Sequence, residues 1–161
     1  SIGNSLFIRF VSDGTFTSKG FFMQWYTVTK GCGGTLNSGI GHIVSPNYPL
    51  PIIETLECFY KITVSQGSKI KLSILDLELV TDNSPGLLCK DDFLEFYDGE
   101  SSTNKLLGTF CKDTNVSQIL HSTSNQMYIK FRNSGFSNGR GFSLKYTTDC
   151  IVTLKGYQGA I

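Results

Sequence analysis

An out-of-phase internal repeat constrains the fold of this chain more than any other feature of its sequence. Seven positions recur at an offset of 121 residues, and five more recur at an offset of 118. The first set comprises Asn4, Leu6, Ile8, Phe10, Gly14, Gly20 and Phe21, and the second comprises Cys32, Thr35, Leu36, Gly41 and Ile43. A repeat of this length corresponds to one domain, since domains of about 100–150 residues are the most common. The repeat predicts that the chain is a window cut from a tandem array.

The repeat also predicts the boundaries of three units. Residues 1–29 correspond to the C-terminal strands of a preceding copy, residues 32–148 to one complete copy, and residues 150–161 to the first strand of a following copy. Lys30-Gly31 and Thr147–Asp149 are then short linkers between copies. Linkers of this length predict restricted, rod-like or bent stacking of neighbouring domains.

Five cysteines indicate the compartment. The complete copy carries Cys32, Cys58, Cys89 and Cys111, and Cys150 repeats Cys32 in the next copy. Four cysteines allow three pairings, and spacing favours Cys32 with Cys58 and Cys89 with Cys111, because each pair closes a local loop. Cys150 would then pair with a cysteine outside the sequence. A zinc site is the alternative, but the sequence lacks the Cys-x-x-Cys pairs typical of structural zinc sites. Disulfides predict an extracellular or lumenal protein.

Charge and hydropathy exclude several classes of partner. The net charge is +1, and only 17% of the residues are charged, so nucleic acid is not expected as a partner. No apolar run approaches the roughly 20 residues of a spanning helix, so direct membrane insertion is not expected. Asn115-Val116-Ser117 is an N-glycosylation acceptor sequence, which agrees with an extracellular location.

Alternating apolar and polar residues predict an all-β fold. The apolar rows comprise Tyr60, Ile62 and Val64; Ile70, Leu72 and Ile74; Leu94 and Phe96; Met127, Ile129 and Phe131; and Phe142, Leu144 and Tyr146. This period of two is typical of half-buried strands. Turn sequences such as Gln66-Gly67 and Asp98-Gly99 separate the rows. Many short strands between frequent turns favour an antiparallel sandwich over βαβ units.

An ordered set of motifs runs along the complete copy. The set comprises Cys32-Gly33-Gly34, Ser45-Pro46-Asn47-Tyr48-Pro49, Cys58, Leu75 through Glu78, Cys89 followed by Asp92, Phe96-Tyr97-Asp98-Gly99, Gly108 before Cys111, Ile129-x-Phe131 and Gly141-Phe142. Together these motifs resemble the CUB domain family. The resemblance implies a jelly-roll-like sandwich of two five-stranded antiparallel sheets, with the same two disulfides that the spacing favours.

Adjacent CUB domains imply a function in protein recognition. An uninterrupted series with short linkers resembles the cubilin-like endocytic receptors. That resemblance implies capture of protein ligands such as intrinsic factor–cobalamin and filtered plasma proteins, with amnionless as the membrane-anchoring partner. Tolloid-like proteases and procollagen-proteinase enhancers also carry adjacent CUB domains, in interrupted or short runs. They leave a second interpretation open, in which the array scaffolds extracellular proteins or guides a protease.

The resemblance also implies a candidate Ca²⁺ site at one end of the sandwich. Glu78 and Asp92 match its first two acidic ligands, whereas Ser134 stands where the third acid is normally found. Two converging carboxylates repel each other unless a cation lies between them. Arg132 could offset these acids instead of calcium, so both alternatives stay open in the complete copy. The preceding copy keeps the third acid as Asp13, and calcium is predicted there.

Two further expectations concern ligand release and catalysis. If calcium is bound, the resemblance to CUB domains implies that the acidic loops receive a Lys or Arg from a partner protein. Such contacts weaken with salt and acid, so protonation of the carboxylates towards endosomal pH would release both the calcium and the ligand. No catalytic site is predicted. His42 and His121 are the only histidines, and neither belongs to a recognisable catalytic motif.

Overall fold

The computed structural model describes residues 7–15, 19–21, 23, 31–79, 89–112, 118–135 and 138–150. Within these segments the chain forms nine strands. They are β1 (Gly34–Leu36), β2 (Ile40–Val44), β3 (Thr55–Thr63), β4 (Ser68–Glu78), β5 (Phe93–Asp98), β6 (Lys105–Phe110), β7 (Ile119–His121), β8 (Gln126–Ser134) and β9 (Gly141–Cys150). A helix with the length and apolar character to cross a membrane does not occur in these segments.

The strands form two sheets, as the predicted sandwich requires. One sheet has five strands in the order β1-β3-β8-β5-β6, and the other has four in the order β2-β9-β4-β7. Strands β1 and β3 run parallel, and every other neighbouring pair is antiparallel. The all-β class is confirmed. The resemblance predicted five strands in each sheet, whereas among the described residues one sheet has five strands and the other has four. The three-residue β7 forms one edge of the four-stranded sheet.

The alternating rows of the sequence lie in the core between the sheets. The buried members comprise Tyr60 and Ile62 of β3, Ile70, Leu72 and Ile74 of β4, Leu94 and Phe96 of β5, Met127, Ile129 and Phe131 of β8, and Phe142, Leu144 and Tyr146 of β9. Phe142 links the two sheets through its ring, which lies 5.1 Å from the Phe131 ring and 6.3 Å from the Tyr60 ring, centroid to centroid. Burial of this apolar surface from both sheets is the main stabilising term of the sandwich.

Strand β9 is longer than its apolar alternation predicts. Thr147, Thr148 and Asp149 pair with Lys71, Ile70 and Lys69 of β4 in antiparallel register. The prediction that Thr147–Asp149 forms a linker is therefore wrong. The apolar row ends at Tyr146, but backbone hydrogen bonds between strands do not depend on side-chain polarity, and the ladder continues.

Two disulfides fasten the ends of strands to the sandwich. One joins Cys32, just before β1, to Cys58 in β3, with their Cα atoms 5.5 Å apart. The other joins Cys89 to Cys111, which lie before β5 and after β6, with a Cα separation of 5.1 Å. These are the two pairs that the spacing favours. The glycosylation acceptor Asn115 and the side chain of Cys150 lie outside what the structure describes, so both expectations stay predictions.

Candidate functional site

The candidate site lies at the end of the sandwich where β4 and β8 finish. Asp76 and Glu78 are among the last three residues of β4, and Ser134 is the last residue of β8. Asp92 immediately precedes β5, and Arg140 immediately precedes β9. Antiparallel pairing brings these positions to one end of each sheet. A backbone bridge between Glu78 and Lys112, with Leu79 N–H donating to Cys111 O at 2.8 Å, joins the two sheets there.

A β-bulge turns both acids of β4 away from the core. The register between β4 and β9 shifts between Ile74 and Asp76, which leaves Leu75 as an extra residue, 46% exposed. The alternation therefore changes phase, so that Leu77 is buried while Asp76 and Glu78 both face away from the core. Uninterrupted alternation from Ile74 would have placed Asp76 on the core face.

Arg140 binds both of these acids. Its Nε donates to Asp76 Oδ2 at 2.7 Å, and its Nη2 donates to Asp76 Oδ1 at 2.6 Å. Its Nη1 donates to Glu78 Oε2 at 2.6 Å. The planar fork of a guanidinium matches the two oxygens of a carboxylate, which makes such pairs stronger than single charged hydrogen bonds. The two acids, which would otherwise repel each other, therefore share one cation.

Tyr48 extends the cluster into the neighbouring loop. Its hydroxyl donates to Asp76 Oδ2 at 2.9 Å. The hydrogen bonds and charge of Arg140, together with the bond from Tyr48, hold the pKa of Asp76 below its usual range in spite of partial burial. The hydrogen bond to the anionic Asp76 raises the pKa of Tyr48. Asp76 therefore stays ionised and Tyr48 stays protonated over the physiological pH range. We call Tyr48, Asp76, Glu78 and Arg140 the Arg140 cluster.

Contacts between Ser45 and the start of β9 position the cluster. Ser45 N–H donates to Phe142 O at 3.0 Å, and Phe142 N–H donates to Ser45 Oγ at 3.0 Å. Gly141 has a φ of 94°, and a Cβ atom at this position would lie 1.9 Å from Ser45 Oγ. Only glycine allows this close approach, which fixes the Tyr48 loop beside the residue that precedes Gly141.

Asp92 and Ser134 form a separate pair. The backbone N–H of Ser134 donates a short hydrogen bond to Asp92 Oδ1, and its hydroxyl donates to Asp92 Oδ2 at 3.1 Å. Two of the three residues predicted to bind calcium, Asp92 and Ser134, therefore contact each other in the structure. The third, Glu78, is bound by Arg140 instead. The arginine beside the acids is Arg140 rather than Arg132, which is exposed in β8 opposite Glu57 and Phe93.

The residues predicted to bind calcium have other partners in the structure. Ca²⁺ takes about six to eight oxygen ligands and its affinity rises with the number of carboxylates. In the part of the chain that the structure describes, no three His, Cys, Asp or Glu side chains lie together in a way that could hold a metal ion. The site of Glu78, Asp92 and Ser134 stays a prediction. So does Asp13, which is exposed and accepts a 3.4 Å hydrogen bond from Thr15 N–H.

The two histidines contact polar partners within the four-stranded sheet. His42 Nε2 lies 2.8 Å from Ser143 Oγ, and His121 Nδ1 lies 3.2 Å from Asp149 Oδ2. Ser143 is 5% exposed, so its hydroxyl is not presented to a substrate as a nucleophile would be. These contacts support the sheet.

Comparison with known proteins identifies the family. The sequence profile of the CUB domain matches residues 32–146. Human cubilin is 36% identical over 150 residues, which cover 93% of this chain and 4% of cubilin. Bone morphogenetic protein 1 of Xenopus laevis is 37% identical over 175 residues, which cover 99% of this chain and 24% of that protein. The chain therefore spans only a small part of these relatives.

A solved structure agrees with the fold. The CUB2 domain of MASP-1 bound to Ca²⁺ superposes with a TM-score of 0.60 at 27% identity, covering 70% of this chain and 96% of that one. The two sheets, the two disulfides and the matched residues lead to one conclusion: the chain belongs to the CUB domain family.

Proposed function

We propose that the chain is an extracellular, non-catalytic protein-binding module of a multi-CUB endocytic receptor. The observation that carries this proposal is the 36% identity to human cubilin across 93% of the chain, which extends beyond the residues of the single matched domain. Two disulfides support a location outside the cytosol. In such a receptor, amnionless would anchor the array to the cell surface, and neighbouring CUB domains would lie on either side of this one.

The Arg140 cluster and the loop beside it form the ligand-binding surface in this proposal. The loop that carries Tyr48 also exposes Leu50 and Ile53, whose exposed fractions are 66% and 77%. Tyrosine and arginine next to exposed aliphatic side chains are the composition typical of energetically important protein contacts. A protein ligand would bury the aliphatic loop and hydrogen-bond to the exposed edge of the Arg140 guanidinium.

A binding experiment with matched variants tests this surface. The secreted chain is immobilised, and intrinsic factor–cobalamin and plasma proteins are passed over it with calcium or with chelator. Ile53→Ser should lower the affinity for a bound ligand by about tenfold or more, because an aliphatic contact that the ligand buries is lost. Leu106→Ser is the matched control, since Leu106 is an exposed leucine of β6. Equal loss of binding in both variants would contradict the assignment of the surface, and no binding to any of these proteins would contradict the receptor proposal for this copy.

The second candidate function is recognition on behalf of an extracellular protease. The 37% identity to bone morphogenetic protein 1 over 99% of the chain supports it. In that case the module would bind a protease substrate or an extracellular matrix precursor. Procollagen, passed over the same surface, separates the two candidates. Capture of procollagen without capture of intrinsic factor–cobalamin would favour the accessory role.

A further inference from the structure

We propose that Arg140 replaces a bound cation at this end of the sandwich, so that the complete CUB domain holds its loops together without calcium. Asp76 and Glu78 lie two residues apart and so share one face of β4, and the bulge at Leu75 turns that face away from the core. Two carboxylates in this arrangement repel each other unless a positive charge lies between them. The structure supplies that charge from the chain itself, and the proposal goes beyond the proposed function because it concerns how the loops are held.

The geometry of Arg140 is that of a bridging cation. Its three donating nitrogens reach Asp76 twice and Glu78 once, at 2.6–2.7 Å. The guanidinium links a pair of residues on β4 to the start of β9, as a metal ion would link ligands from separate segments. It also stays protonated at every physiological pH, so the link does not depend on the concentration of free calcium.

The Asp92–Ser134 pair supports the same inference independently. An acid at position 134 would repel Asp92 and need a cation to bridge the two. Serine instead donates from both its N–H and its hydroxyl, which satisfies both oxygens of Asp92. Glu78 and Asp92, the two acids predicted as calcium ligands in the complete copy, therefore each have a partner that needs no metal. The two residues that take the place of calcium lie close together in the sequence, since Ser134 ends β8 and Arg140 immediately precedes β9.

Thermal unfolding of the full chain tests the proposal. The wild-type melting temperature should change by less than about 1 °C between millimolar calcium and excess chelator. Calcium raises the melting temperature only if it binds the folded state, and the proposal is that it does not bind there. Arg140→Gln should lower the melting temperature by about 3–8 °C, since it leaves two partly buried acids facing each other. The melting temperature of Arg140→Lys should lie between those of the wild type and Arg140→Gln. Lysine keeps the positive charge but lacks the planar guanidinium that binds both carboxylate oxygens.

Arg132→Gln is the matched control, because Arg132 is an exposed arginine of β8, eight residues before Arg140. It should melt within about 1 °C of the wild type. A wild-type protein that melts at least about 3 °C higher in calcium, or an Arg140→Gln variant that melts with the wild type, would overturn the proposal. If Arg140→Gln is not secreted in folded form, calcium titration of the wild type by calorimetry decides the matter. Because Asp13 of the preceding copy could also bind calcium, Asp92→Ala is titrated beside the wild type. Heat that the wild type shows and Asp92→Ala loses would refute the proposal, and the absence of such heat would support it.

Discussion

Arg140 and Asp76 form a bidentate ion pair, with both carboxylate oxygens of Asp76 bound by nitrogens of one guanidinium across a sequence separation of 64 residues. The pair joins the end of β4 to the start of β9, which are adjacent strands of the four-stranded sheet. It is partly exposed, with side-chain exposures of 46% for Arg140 and 22% for Asp76. The link is therefore accessible to a partner and also fixes the loops that would meet it.

The first prediction concerns stability at acid pH. Arg140 lowers the pKa of Asp76 in the folded chain, so at pH values between the folded and unfolded pKa the unfolded state binds more protons. The contribution of the pair is fully present above the unfolded pKa of about 3.9, and it is lost as the pH falls through the lower folded pKa. The pair should thus be intact at endosomal pH. Urea unfolding from neutral pH down to pH 3 measures this.

Asp76→Asn should remove that acid-dependent component and lower stability at neutral pH. If the variant loses stability below pH 4 as steeply as the wild type, Asp76 is not the group responsible. A further consequence concerns ligand release. A ligand that leaves between neutral and endosomal pH would have to do so through groups other than Asp76.

The second prediction concerns the glycine before Phe142. Gly141→Ala should destabilise the chain by about 3 kcal/mol, because alanine is strained at a φ of 94° and its Cβ would collide with Ser45 Oγ. Gly67→Ala is the matched control. Gly67 also has a positive φ, of 82°, but a Cβ there meets nothing within 4 Å. It should cost only about 1 kcal/mol. Equal losses measured by urea unfolding would mean that the contact with Ser45 is unimportant.

The third prediction concerns the aromatic contact between the sheets. Phe142→Ala should cost about 3–5 kcal/mol, since the ring is fully buried against Tyr60 and Phe131. Leu50→Ala should change stability by less than about 0.5 kcal/mol, because Leu50 is 66% exposed. Chemical unfolding of both variants provides the comparison. A loss of stability for Phe142→Ala that is no larger than the loss for Leu50→Ala would contradict the position of Phe142 in the core between the sheets.

The fourth prediction concerns the disulfides. Peptide mapping without reduction should recover Cys32 linked to Cys58 and Cys89 linked to Cys111. Replacing either pair by serine should cost about 3 kcal/mol, because the closed loops span 26 and 22 residues and restrict the unfolded chain. Other linkages among these four cysteines, or free thiols, would contradict the structure.

Much of the fold could be predicted from local pattern. The rows around Leu72, Ile129 and Leu144 lie in central strands because alternation with a period of two is a direct consequence of strand geometry. Cysteines that are neighbours in the sequence form the two disulfides, Cys32 with Cys58 and Cys89 with Cys111, as their spacing favours. The extension of β9 was missed because Thr147–Asp149 carry no apolar signal, although their backbone groups pair with β4.

The sequence by itself determined the all-β class, the core and the family, because these depend on periodicity and ordered motifs along the chain. Cysteine spacing favoured one of three possible pairings, and the structure shows those two disulfides. Only the tertiary structure decided which cation the acids receive. Nothing in the sequence distinguishes Arg140 from Arg132 as a partner, since the choice depends on the register of β9 against β4. Nothing in the sequence marks the bulge at Leu75 either, yet the bulge turns Asp76 and Glu78 away from the core. Residues separated by more than sixty positions meet because strand pairing places them side by side, and alternation within one strand does not say which other strand it pairs with.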